Sequence, residues 1–338
     1  MAAIKKGATY LHQQQREFIH GLSQTWLWRS ELPTWLLIAT IYGGWFSVSA
    51  YWRALGLLPA TLILIWFTAW HMSLQHELIH GHPTRYPRLN QLLGLPPLAI
   101  WYPFGLYRDL HLRHHREEQL TLPGEDPETY YFSAERWARF SRLQREMARL
   151  HNTLPGRVLL GPALDVAQAA QSLITAMAGD DNRAKAMWLL HMLLLLALFA
   201  WLRYRGFSAL YYLAAVSYPA LGLTKIRSFM EHRAATDPQA RSVINEAALP
   251  WRLLFLNLNY HSVHHNLPGV PWYALRYIYL TYRQSYQLHN GGFVVKGYIE
   301  WLNRFLFRPV EVNVHPASLT GKKIQCPPLV SFPCPCTP

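Results

Sequence analysis

Long uncharged stretches alternate with polar ones along this chain, and the alternation lays out the molecule. Leu32 to Trp52 carries no Asp, Glu, Lys or Arg over 21 residues, and Ala54 to Gln75 repeats this over 22, with only Arg53 between. About 20 apolar residues in a helix cross a bilayer, so the two runs predict an antiparallel pair of spans, 32–52 and 54–75. Ala186 to Leu202 and Gly206 to Thr224 predict a second tight pair, 186–202 and 206–224. Leu89 to Tyr107 is uncharged too, but it holds Pro96, Pro97, Pro103, Gly94 and Gly105. Prolines there would leave backbone groups unpaired in lipid, so 89–107 is expected to be re-entrant or interfacial. Residues 1–31 predict a cytosolic or interfacial segment with a short amphipathic helix on the membrane surface. Residues 32–310 form one membrane domain, and 311–338, turning to Pro and Cys, a disordered tail. Between the hairpins lie an Arg-rich helix around 136–149 and an in-plane helix over 166–179.

Charge and composition sharpen this picture. Hydrophobic residues make up 51% of the 338, with 14 Trp, which suits a membrane interface. The net charge of +13 is spread through the segments flanking the apolar runs rather than gathered in an arm, so no nucleic-acid partner is expected. Lys and Arg number 12 in 76–184, 4 in 1–33 and 9 in 226–310, while the two short connections hold only Arg53, Arg203 and Arg205. By the positive-inside rule the large segments and both termini are cytoplasmic. The three cysteines, Cys326, Cys334 and Cys336, give no disulfide framework. Lys5 and Lys6 are followed by the polar run 11–18, not by the apolar core of a cleavable signal peptide.

The chemistry lies in the histidines. His261, His264 and His265 stand at i, i+3 and i+4, which share one face of a helix. His111, His114 and His115 repeat the grouping, and His76 and His80 form an i, i+4 pair. One such pair is ordinary on a wet helix face; three clusters in one chain are not. His232 follows the fourth apolar run at the same expected depth. If 89–107 does not cross, all these histidines face one compartment. Imidazole suits iron, copper, zinc and nickel. A zinc takes three or four ligands, so nine histidines are too many for one ion and suit two. Neutral ligands around two metals leave positions open, which fits O₂ activation better than hydrolysis. The soluble di-iron pattern needs paired Glu-x-x-His motifs, and only Glu77–His80 matches. His76–His80 is also literally HExxH, with Glu77 as would-be base of a membrane metalloprotease, but that reading leaves the other histidines unexplained. In a non-catalytic metal carrier the ligands would lie along the spans, not beyond their ends. Asn257 and Asn259 could hold a metal-bound water, and His82 or Glu77 could support the ligands. Arg85, Arg108, Arg113 and Arg116 are available for an acidic head group, although arginines there also meet lipid phosphates.

His76-Glu-Leu-Ile-His80, His111-Leu-Arg-His114-His115 and His261-Ser-Val-His264-His265, in this order, resemble the membrane-bound fatty acid desaturase family over roughly residues 30–310. The resemblance implies an all-α integral membrane protein: four transmembrane helices in two hairpins, with a cytosolic helical cap carrying a histidine-rich di-metal site. It implies two iron ions and O₂ as co-substrate, with His76, His80, His111, His114, His115, His232, His261, His264 and His265 as ligands. The reaction would remove hydrogen from an unactivated C–H bond of a fatty acyl substrate and introduce a double bond. Electrons would come from a separate ferredoxin, rubredoxin or cytochrome b5 type donor with its reductase; no cytochrome b5 module is fused. The context Gln75 to Arg85 is similar to a bacterial branch that includes dihydrorhizobitoxine desaturase. That similarity implies a bacterial inner-membrane location and leaves a non-lipid metabolite as an alternative substrate. Hydroxylation is the alternative outcome within the family.

Overall fold

Apolar sequence without charge folds into the long helices that organise the protein. The computed structural model describes residues 12–117, 119–310 and 313–319. Its chain is predominantly helical. Helix α1 (Gln13–Ser23) leads through a short helical segment, Trp26–Ser30, into α2 (Leu32–Ala50), and α3 (Leu57–Ile79) returns antiparallel beside it. After α3 come α4 (Pro87–Gly94) and α5 (Phe104–Arg116), then α6 (Leu154–Ala178), α7 (Asn182–Tyr204) and α8 (Tyr218–Ser228). Beyond them lie α9 (Leu249–Leu254), α10 (His261–Asn266), α11 (Trp272–Thr281) and α12 (Arg283–His289), followed by a further helix, Tyr298–Phe305. A two-residue parallel pair, β1 (Ile244–Asn245) with β2 (Val294–Val295), aligns Ile244 with Val294 and Asn245 with Val295.

Among the described residues two helices, α3 and α7, are long and apolar enough to cross a membrane. Helix α2 has 19 residues but is diluted by Thr34, Thr40, Gly43, Gly44, Ser47 and Ser49. The run 206–224 is divided into a short helix, a π-helical turn over Tyr212–Ser217 and the start of α8. Both ends of the helical runs also move: α3 extends four residues beyond the expected 75, through His76, and stops where Gly81 takes φ +95°. That left-handed conformation costs glycine little and turns the chain at the helix end.

The run 89–107 is no single helix. It divides into α4, an irregular segment and the start of α5. The irregular backbone is buried, and side chains from the surrounding helices satisfy its carbonyls. Tyr42 hydrogen-bonds the carbonyl of Leu93, Gln75 Nε2 that of Gly94 at 2.9 Å, and Tyr212 Oη that of Leu98 at 2.7 Å. Ser217 Oγ donates to Ala99 at 2.7 Å and His191 Nε2 lies 2.6 Å from the Ile100 carbonyl. An unpaired buried carbonyl would cost about 1–3 kcal/mol, so these five contacts make an irregular segment tolerable in the core. They also hold Ile100 at φ +74°, a conformation rare for a β-branched residue. Tyr212 is the hub: its hydroxyl also meets Trp45 Nε1 at 2.9 Å and Thr68 Oγ1 at 3.0 Å.

Four further expectations need correction. The in-plane helix over 166–179 starts at Leu154 and carries Pro162 in its interior; the polar residues before 166 tie it to α8 through Lys225 Nζ and Asp165, 2.7 Å apart. The Arg-rich helix splits into Ala134–Arg139 and Arg142–His151, because Ser141 and Gln144 form a capping box. The helix of the N-terminal segment does not lie alone on a surface: Phe18 meets the rings of Tyr277 and Tyr282. Part of the expected tail is anchored, since Phe132 pairs with Val314 and His315 Nε2 meets Thr121 Oγ1 at 3.0 Å. The rest of 311–338, with the three cysteines, lies outside the described residues.

Candidate metal centre

Helical periodicity sorts the histidines into two groups. At 100° per residue, i and i+4 lie within about 40° of each other, while i+3 is rotated to the other side. In α5, His111 and His115 therefore point together and His114 points apart. In α10, His261 and His265 point together and His264 apart. The two helices face each other with these roles exchanged. The first group holds His76, His80, His111, His115 and His264; the second holds His114, His232, His261 and His265. Within each group the ring nitrogens lie within 4.8 Å of one another. His232 is carried in by an antiparallel bridge to Ser242. The same segment fixes α10, because Ser262 N donates to the Val243 carbonyl at 2.9 Å.

The contacts inside each group are between Nε2 atoms. His80 and His111 are 3.1 Å apart, and His115 and His264 are 3.2 Å apart. In the second group His232 meets His114 at 3.1 Å and His261 at 3.0 Å, and His261 meets His265 at 3.1 Å. Neutral imidazoles whose Nδ1 carries the proton would set lone pair against lone pair here. A cation between them removes the conflict. Two nitrogens at about 2.0–2.1 Å from one metal and about 95° apart are separated by about 3 Å, the spacing found. The donor set thus fits transition-metal ions.

Carboxylates back the outer nitrogens unevenly. Asp126 Oδ1 lies 2.7 Å from His114 Nδ1, and Glu231 Oε1 lies 3.4 Å from His261 Nδ1. Ser242 Oγ lies 3.2 Å from His232 Nδ1. Glu128 spans both groups, with Oε1 3.0 Å from His111 Nδ1 and Oε2 4.0 Å from His114 Nε2. Such partners fix the ring orientation and make the imidazole a better donor. Burial and neighbouring imidazoles push His80, His115, His264 and His265 well below the usual histidine range. Burial and the His114 charge push His232 down to about 3. Burial would also lower His114, but Glu128 and Asp126 outweigh it and hold this imidazole up at about 9. Burial would raise Glu128, yet His114 and His111 pull its carboxyl far below the usual range.

The other sequence candidates fall elsewhere. Residues 255–260 precede α10 as turns, so the helical spacing of Asn257 and Asn259 to the ligands does not apply. Their amides donate to the carbonyls of Trp272 and Asn245, at 3.0 and 2.5 Å. Glu77 Oε2 accepts from the Trp272 backbone N–H at 3.1 Å. His82 Nδ1 meets Glu31 Oε1 at 2.6 Å, tying the first histidine cluster to the start of α2. Arg85, Arg113 and Arg116 are exposed, and Arg108 pairs with Asp109 at 3.3 Å. Sequence reasoning missed Asp126, Glu128, Glu231 and the Arg227 paired with Glu231. Asp126 lies in the Pro- and Gly-bounded stretch 123–127, Glu128 follows it and Glu231 precedes His232; none has a spacing that marks it.

No curated protein matches the chain. The sequence profile of the family described as Fatty acid desaturase matches residues 50–296, more than half of the chain and inclusive of all three histidine clusters. On that match the chain belongs to the fatty acid desaturase family, a family of oxidoreductases, and its histidine centre could hold the metal ions of such an enzyme.

Proposed function

We propose that the protein is an O₂-dependent di-iron desaturase that introduces a double bond into a fatty acyl substrate in the bilayer. The observation that carries this is the division of nine histidines into groups of five and four with converging Nε2 atoms. An iron pair held there would supply the oxidising power to take hydrogen from an unactivated methylene, with O₂ as co-substrate. The chain's own residues do the rest. His76, His80, His111, His115 and His264 would hold one iron, and His114, His232, His261 and His265 the other. Asp126 and Glu128 would accept the Nδ1 protons of His114 and His111 and so keep each Nε2 lone pair aimed inward. Leu78, Ile79, Ile100 and Leu256, in one apolar cluster with the partly buried Leu112 and Trp272, would line the approach and exclude water.

Burying a chain contributes about 0.8 kcal/mol per CH₂ at any position. The oxidised position must then be set by where the lining ends and where the head group is held. The exposed leucines of α2, α3 and α7, such as Leu36, Leu58, Leu62, Leu193 and Leu196, support a lipid-facing belt. On this reading the chain has four spans in a bacterial inner membrane with cytoplasmic termini and site, an orientation that the Lys and Arg distribution supports. Two electrons per turnover would come from a ferredoxin, rubredoxin or cytochrome b5 type donor and its reductase.

Lipid profiling of a host expressing the wild type or His264→Ala tests the activity. New unsaturated acyl chains with the wild type alone are expected. Turnover of a small metabolite with no change in acyl chains would reject the lipid substrate. One zinc and no iron in the purified protein would reject the di-iron centre.

A further inference from the structure

Away from the histidine centre, a cleft of about 280 Å³ lies between the stretch after β1, α9, α11 and the start of α12. Arg252, Arg276 and Arg283 line it against a single carboxylate, Glu246. That carboxylate is already committed: Tyr279 Oη donates to it at 2.6 Å and Arg283 pairs with it at 2.7 Å. Arg252 and Arg276 meet no carboxylate among the described residues. The floor is Tyr260 stacked on Tyr279, with ring centroids 5.0 Å apart and both rings buried. A guanidinium fork over such a floor matches the oxygens of a phosphate.

The rim supplies a second observation. Leu249, Leu253 and Leu280 are exposed beside the arginines. Helix α9 is fastened to the final turns of α3, where Trp70 Nε1 donates to the Leu253 carbonyl at 2.9 Å and Ser73 Oγ to that of Leu254 at 2.8 Å. The cleft therefore stands level with the end of an apolar helix long enough to span. Cationic forks beside exposed leucines at that level match a charged head group with acyl chains attached.

We propose that this cleft binds the phosphate of an anionic phospholipid through Arg252 and Arg276, with its acyl chains along Leu249, Leu253 and Leu280. The lipid source rests on the membrane reading above; recognition of phosphate does not. The full chain is placed in phosphatidylcholine nanodiscs containing a small share of phosphatidylglycerol, and retained phosphatidylglycerol is counted by native mass spectrometry. The double variant Arg252→Gln/Arg276→Gln is expected to bind it roughly tenfold or more weakly. Glu246→Gln, which removes the one negative charge lining the cleft, is expected to bind it about two- to fivefold more tightly, a gain that misfolding cannot mimic. Arg142→Gln/Arg145→Gln, on another basic helix, should change nothing. Equal retention by wild type and double variant, or no gain with Glu246→Gln, overturns the proposal. Glycerol phosphate binding as tightly as phosphatidylglycerol would assign the cleft to a soluble ligand and overturn the lipid source. A chain that purifies without detergent and ignores bilayers would overturn the membrane reading, and the lipid source with it.

Discussion

The two histidine groups share helices α5 and α10 but differ in what stands behind them. In the five-histidine group, among the described residues, only His111 has a carboxylate at its outer nitrogen. His76, His115 and His264 have no partner for Nδ1 among the described residues. In the four-histidine group His114 leans on Asp126 and His232 on Ser242, while Glu231 lies 3.4 Å from His261 Nδ1 without a hydrogen bond between them. Ligand count and ligand support thus run in opposite directions. A position with fewer, better-supported imidazoles carries more negative charge around it and favours a more highly charged ion. The difference teaches that near-identical sequence clusters need not make equivalent sites; the carboxylates brought from elsewhere decide.

The largest test of this contrast removes a ligand from each side. On the proposed di-iron reading, His264→Ala and His232→Ala should both lower turnover to background, each with iron falling from two per chain towards one, as read by metal analysis. Loss of iron with one variant and not with the other would show that the groups do not act as a pair. Next, Asp126→Asn should weaken metal binding at the four-histidine group about 10- to 100-fold while the five-histidine group keeps its iron; equal loss from both would break the distinction.

Protonation gives a smaller effect. Without metal, His114 is held at about 9 and so carries a proton at pH 7. Binding needs its Nε2 lone pair. Metal should then displace about one proton at pH 7, and affinity at the four-histidine group should climb with pH until about 9. The same shift stabilises the metal-free fold fully below 6.5 and is lost as pH rises through about 9. The five-histidine group should be flat above 6.5, because its cap-side imidazoles are pushed down rather than up. Proton release on metal titration in weak buffer reads this directly. Smallest of all, Ser242→Ala removes one neutral hydrogen bond from His232, worth about 1 kcal/mol. It should weaken the four-histidine metal a few-fold and leave the other untouched.

Eight of the nine histidines that converge were legible because their i, i+3 and i+4 spacing is local to the sequence. His232 had no spacing partner and was found from its position after an apolar run. That 89–107 is not one continuous helix was legible from Pro96, Pro97 and Pro103. What holds that segment was not: Tyr42, Gln75, His191, Tyr212 and Ser217 come from helices far apart in sequence, and each looks like an ordinary polar residue in an apolar run. Asp126 and Glu128 escaped for the same reason, since a carboxylate in a turn can reach any neighbour the fold brings to it.

By itself, the sequence determined where the chain is apolar, where it must break and which histidines share a helix face, because these depend on composition and a fixed periodicity. Only the tertiary structure decided how those faces are paired. The crossing of α5 and α10 sends His114 to the side of His261 and His264 to the side of His111. No local period encodes that exchange, because it arises from the packing of two helices about 150 residues apart in the chain, a geometry that exists only once the core between them has formed.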